Sequence, residues 1–168
     1  MKSLTKIASA SALAVLLTFS SFTLFAAGSH DHSHGHEMDF DPVENEFGEY
    51  QPKMKASRTI EVGMSDEMRF TPDVIRVKKG DVIKFKHTNN GKIMHEFVLG
   101  TPDSLDEHAE MMKKFPGMEH DEPYMAHVAP GKSATIMWKF SKEGEFAFGC
   151  LIPGHYDAGM KGKVIVES

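Results

Sequence analysis

The chain has 168 residues, 40% of them hydrophobic and 26% charged, with a formal net charge of −5. That is enough for one domain with a proper core, and its basic residues form no patch or stripe of the kind nucleic acid requires. The lone cysteine, Cys150, excludes a disulfide-stapled scaffold, which carries an even count. Against it stand 10 histidines and 12 methionines.

In chain order, "MKSLTK" carries two lysines, "IASASALAVLLTFSSFTLF" runs without a charge, and "AAG" offers small residues for cleavage near Ala26–Gly28. This is the layout of a secretory signal peptide over residues 1–27. The apolar run approaches the length of a membrane span, but the small-residue exit and polar continuation favour cleavage. The expected address is the bacterial periplasm, with no stable membrane insertion after processing. Loss of Lys2 and Lys6 would take the charge from −5 to −7 (−5 − 2). A free thiol in an oxidising compartment is a liability unless something occupies it, and a metal would.

Residues 28–57 are polar, acidic and without hydrophobic period, so a disordered arm is expected there. His30, His32, His34 and His36 alternate with Asp, Ser and Gly, and Met38 follows. Alternate residues of an extended segment face the same way, so the tract reads as a weak trap for Cu(II) or Zn(II).

From residue 58 the pattern changes. "RTIEVGM", "VIRVKKGDVIKFKHT" and "KIMHEFVLG" are β-rich runs broken by the turn sequences "KKGD" and "NNG". Residues 101–127 interrupt them with "TPDSLDEHAEMMKKF", which reads as one helix with Ser104 and Glu107 at capping-box spacing. This insertion holds His108, Met111, Met112, Met118, His120, Met125 and His127. Thioethers are soft and never ionise, so additional Cu(I) binding is a hypothesis for it. Strands resume with "SATIMWKF", "EFAFGC" and "GKVIVES". About seven strands with one short helical insertion predict an all-β fold, an antiparallel Greek-key β-sandwich, over residues 58–168.

The chemistry concentrates in "FGCLIPGHYDAGMKG", residues 148–162, which places Cys150, His155 and Met160 at equal intervals between two strands. Two imidazoles and a thiolate in a plane, with a thioether on the axis, suit copper in both oxidation states. Zinc accepts thiolate and imidazole but seldom thioether. The loop is one histidine short. His95 is the better candidate, because a ligand on a packed strand fixes the site's angles. His87, just before "TNNG", is the competitor, expected to face solvent or stabilise a turn.

His95 followed by Cys150-x4-His155-x4-Met160 resembles the cupredoxins, the type 1 copper proteins that include plastocyanin, azurin, auracyanin and rusticyanin, with spacing most similar to the last two. With its histidine-rich arm and Met/His insertion, the whole chain is similar to periplasmic cupredoxins of bacterial copper tolerance. The resemblance implies one type 1 copper ion with His95, Cys150 and His155 equatorial and Met160 axial. Two positions depart from the family pattern. Glu96 stands where asparagine commonly follows the first histidine, and Leu151 where Ser or Thr commonly follows the cysteine.

The expected function is binding, buffering or handing on copper in tolerance, through a redox-active site. The alternative is an electron shuttle between respiratory partners, with Leu151, Ile152 and Pro153 as a docking edge. The expected partners are copper ions and a periplasmic redox or copper-transport protein. Catalysis is not expected: Gly149 and Leu151 flank Cys150, so the His-Cys-His bridge of the multicopper oxidases is missing.

Overall fold

A computed structural model describes residues 40–118 and 120–168. The proposed signal peptide and His30, His32, His34, His36 and Met38 lie outside the described residues. Among the described residues, eleven strands form two facing sheets with one helix. The six-stranded sheet contains β1 (Val43–Asn45), β2 (Gly48–Tyr50), β3 (Arg58–Ser65), β4 (Arg69–Thr71), β6 (Val82–Asn89) and β9 (Ser133–Lys139), in the order β1-β2-β9-β6-β3-β4. The five-stranded sheet contains β5 (Val74–Lys78), β7 (His95–Gly100), β8 (Met125–Val128), β10 (Gly144–Gly149) and β11 (Lys161–Glu167), in the order β5-β11-β10-β7-β8.

The sandwich fills with the inward-facing alternate residues of both sheets. Trp138, Phe85, Phe97, Phe140 and Phe148 are fully buried, and Phe97 stacks on Phe148 with ring centroids 5.1 Å apart. Strand β6 shows the alternation plainly: Ile83, Phe85 and His87 face the core while Lys84 and Lys86 do not.

Four expectations need correction. The arm does not run structureless to residue 57, because β1 and β2 pair with each other and β2 with β9, where Tyr50 meets Trp138. Trp138 also donates its indole N–H to the Phe47 carbonyl at 3.1 Å. These strands are three residues each, too short for a period to show. The sheets are mixed rather than antiparallel: β3 runs parallel to β6, and β5 to β11. The helix α1 (Pro102–Lys114) is capped by Thr101, whose hydroxyl accepts the Ser104 N–H while the Ser104 hydroxyl accepts the Thr101 N–H. Ser104 is thus the inner member of the capping box rather than its start. Finally, His87 is fully buried, its ring centroid 4.0 Å from that of Phe97.

Helix α1 lies over the outer face of the five-stranded sheet. Leu105, Ala109 and Met112 form its buried stripe, packing in one cluster with Val98, Leu151 and Tyr156. Met111, one position off that stripe, is 46% exposed.

Candidate metal centre

The loop after β10 turns back on itself through its own backbone. The Cys150 N–H donates to the Met160 carbonyl at 3.1 Å, and the Met160 N–H donates to the His155 carbonyl at 3.1 Å. Gly154, in the bend before His155, has φ of +90°, which a side chain would strain. Cys150 and Met160 are fully buried and His155 is partly exposed. The eleven residues from Cys150 to Met160 therefore return three donor-bearing side chains to the same end of the sandwich.

His95 opens β7, the strand beside β10, where Val98 is the partner of Gly149. The pairing carries His95 to the mouth of the loop. The potential ligand atoms of His95, Cys150 and His155 lie within 4.8 Å of one another. The two imidazole centroids are 5.2 Å apart, and Cys150 Sγ is 3.3 Å from His155 Nδ1.

The surroundings leave one ring nitrogen of His95 facing inward without a partner. Its Nε2 contacts Asp66 Oδ1 at 3.1 Å, while its buried Nδ1 has no hydrogen-bond partner. Asp66 is itself tied to the Lys92 N–H at 2.8 Å, and that bond, together with the contact to His95, holds its carboxyl below the usual range. A Cβ on Gly91 would collide with the Asp66 carboxylate, so glycine there permits the approach. An orphaned buried nitrogen costs free energy unless something accepts its lone pair. Burial and the neighbouring His95 also push the His155 imidazole down, keeping it neutral and able to ligate. Burial pushes the Cys150 thiol up to about 12, so without a metal it stays protonated. The donor set of two imidazoles and a thiol fits copper, with Met160 the soft donor in the same loop.

The residues that depart from the common pattern join the two segments. The Glu96 N–H donates to Cys150 Sγ at 3.3 Å, and the Glu96 carboxylate accepts the Leu151 N–H at 3.2 Å. Its other oxygen lies 3.1 Å from His127 Nδ1. Glu96 is 3% exposed, and burial raises its carboxyl above the ordinary value. His87 does not join the three-residue group. Asp66 was invisible to sequence reasoning, since nothing marks a turn residue 29 positions before His95 as its partner.

A β-sandwich with a Cys-His-His group at one end, its cysteine and one histidine buried, defines a cupredoxin. The chain belongs to the plastocyanin/azurin family of copper binding proteins, whose family model matches residues 56–167. It is 45% identical over 151 residues to the copper-resistant cuproprotein CopI of Rubrivivax gelatinosus, covering 86% of this chain and 88% of that one. It is 35% identical over 159 residues to the protein of the same name from Vibrio cholerae serotype O1, covering 88% and 93%. Among solved structures, auracyanin of Roseiflexus castenholzii superposes with a TM-score of 0.58 at 24% identity, over 68% of this chain and all of that one. Auracyanin B superposes with a TM-score of 0.60 at 21% identity, over 72% and 96%. These two likenesses concern the fold.

Proposed function

We propose that His95 Nδ1, Cys150 Sγ and His155 Nδ1 would hold one copper ion, with the Met160 thioether as a further soft ligand, and that the protein serves copper tolerance in an exported compartment. The observation that carries the ligand set is the unpartnered, buried Nδ1 of His95 beside the thiol and second imidazole. Tolerance is supported by the names of the CopI relatives, which match along most of both chains. Bound copper supplies a one-electron Cu(I)/Cu(II) couple.

The protein's own part is orientation and exclusion. Asp66 holds the His95 ring by Nε2, leaving Nδ1 for the ion. The Glu96 N–H donates to the cysteine sulfur, stabilising negative charge there. Cys150 is itself fully buried, which keeps bulk water from the sulfur. We read the protein as a binding rather than a catalytic one, since the residues flanking Cys150 supply no bridge to a second centre.

A second reading, electron transfer, is favoured by one feature: Ile93 and Met94, next to His95, are 43% and 44% exposed and offer an apolar docking edge. A deletion strain complemented with the wild type or with Cys150→Ser separates the two. Copper sensitivity restored only by the wild type, with respiration at low copper unchanged, supports tolerance. Normal copper resistance with slowed respiration would reject tolerance in favour of the shuttle.

A further inference from the structure

The Met/His insertion brings together a second pair of imidazoles. His108 comes from α1 and His120 from the segment that leads into β8, and their ring centroids are 4.8 Å apart, inclined at 40°. The His95–His155 pair of the candidate copper site has the comparable separation of 5.2 Å. The spacing has a physical meaning. A ring nitrogen sits about 2.0 Å from a bound metal, so two imidazoles sharing one ion at an angle near 100–110° stand about 5 Å apart, centre to centre.

Neither ring is otherwise occupied. Among the described residues no ring nitrogen of His108 or His120 has a hydrogen-bond partner, and His120 Nδ1 is buried. Both residues are half-buried. Burial, and then the neighbouring His120, push the His108 imidazole down, which favours the neutral form that ligates. The His120 backbone is held in place, because its carbonyl lies 3.2 Å from His127 Nε2, while the far nitrogen of His127 faces Glu96.

The remaining donors select the ion. Among the described residues no carboxylate or thiol completes a three-ligand group with these imidazoles. Thioethers are near at hand in the chain. Met111 and Met112 follow His108 by three and four helix positions and so share its side of α1. Met112 is packed in the core beneath the helix, but Met111 is 46% exposed and Met118, two residues before His120, is 39% exposed. Two imidazoles with thioether donors make a soft set, suited to Cu(I) rather than to a hard divalent cation.

We propose that His108 and His120 form a second metal site, separate from the His95–Cys150–His155 group, which takes Cu(I) with thioether ligation from Met111 and Met118. The protein would then carry a site without thiolate beside the thiolate centre.

The test is an anaerobic titration of the full chain with Cu(I), followed through the assigned imidazole resonances and, separately, by equivalents retained against a chromophoric Cu(I) chelator. The His108 and His120 rings are expected to shift together during the titration. A His108→Gln/His120→Gln variant is expected to retain one equivalent fewer while still developing the Cys150-to-copper absorption with Cu(II). Resonances of His108 and His120 that stay fixed to saturation overturn the proposal, as does an equal number of retained equivalents in a folded variant. Rings that respond to Zn(II) but not to Cu(I) overturn the choice of ion. The wild-type spectra decide the question even if the double variant fails to fold.

Discussion

His87 offers the sharpest quantitative test of the fold around the site. It is fully buried between the sheets, its ring against Phe97 and stacked on Phe85, and neither nitrogen has a hydrogen-bond partner. Burial alone pushes its ionisation down to about 3 from an ordinary 6.5. A histidine lowered in the folded state contributes stability that is fully present above pH 6.5 and is lost as pH falls toward 3. At 1.36 kcal/mol per pH unit, the loss reaches about 2 kcal/mol at pH 5 and about 5 kcal/mol below pH 3. His87→Leu, of similar bulk and without a titrating group, removes this dependence. It also removes unpaired polar atoms, each of which costs about 1–3 kcal/mol when buried. The assay is urea unfolding of metal-free wild type and variant at pH 7 and pH 5, so that metal binding does not enter. The variant's stability relative to wild type should rise by about 2 kcal/mol between those two pH values. Parallel curves, with the difference unchanged across that interval, would refute a neutral, dry histidine at this position.

Three further outcomes follow from the metal centre. Because the Cys150 thiol is raised to about 12, copper binding to the metal-free protein at pH 7 should release about one proton from it, giving a roughly tenfold gain in affinity per pH unit from this group; calorimetry in buffers of different ionisation enthalpy measures the proton, and no release would contradict a thiolate ligand. Asp66→Ala should free the His95 ring and lower copper affinity by about 10–100-fold, measured by chelator competition, whereas unchanged affinity would show the ring is held by other means. Glu96→Ala leaves the Leu151 N–H without its acceptor and should cost the metal-free protein about 1–3 kcal/mol, read from the shift in denaturation midpoint.

Much of the fold is legible in the chain, and so are the residues of the candidate site that the structure brings together, His95, Cys150 and His155. Alternation in "VIKFKH" reports which face of β6 is buried, and Pro102 marks where α1 begins. Cys150, His155 and Met160 share one loop between two consecutive strands, and the pairing of β10 with β11 brings its ends together. These are local facts, fixed by backbone period and chain connectivity. Short elements such as β1, β2 and β4 escape such reasoning, since three residues are too few to show a period.

Other features come only from packing segments remote in sequence. The placement of His95 by the β7–β10 pairing, the approach of Asp66 across the Gly91 turn, and the Glu96–His127 contact each join elements that no spacing links. His87 makes the same point in reverse. Its neighbours in the chain suggest a turn at the surface, but the pleat of β6 points it inward and the facing sheet closes over it. Sequence determines a side chain's direction along its own strand. Whether that direction ends in water, in a core or beside a metal is decided by the sheet that packs opposite.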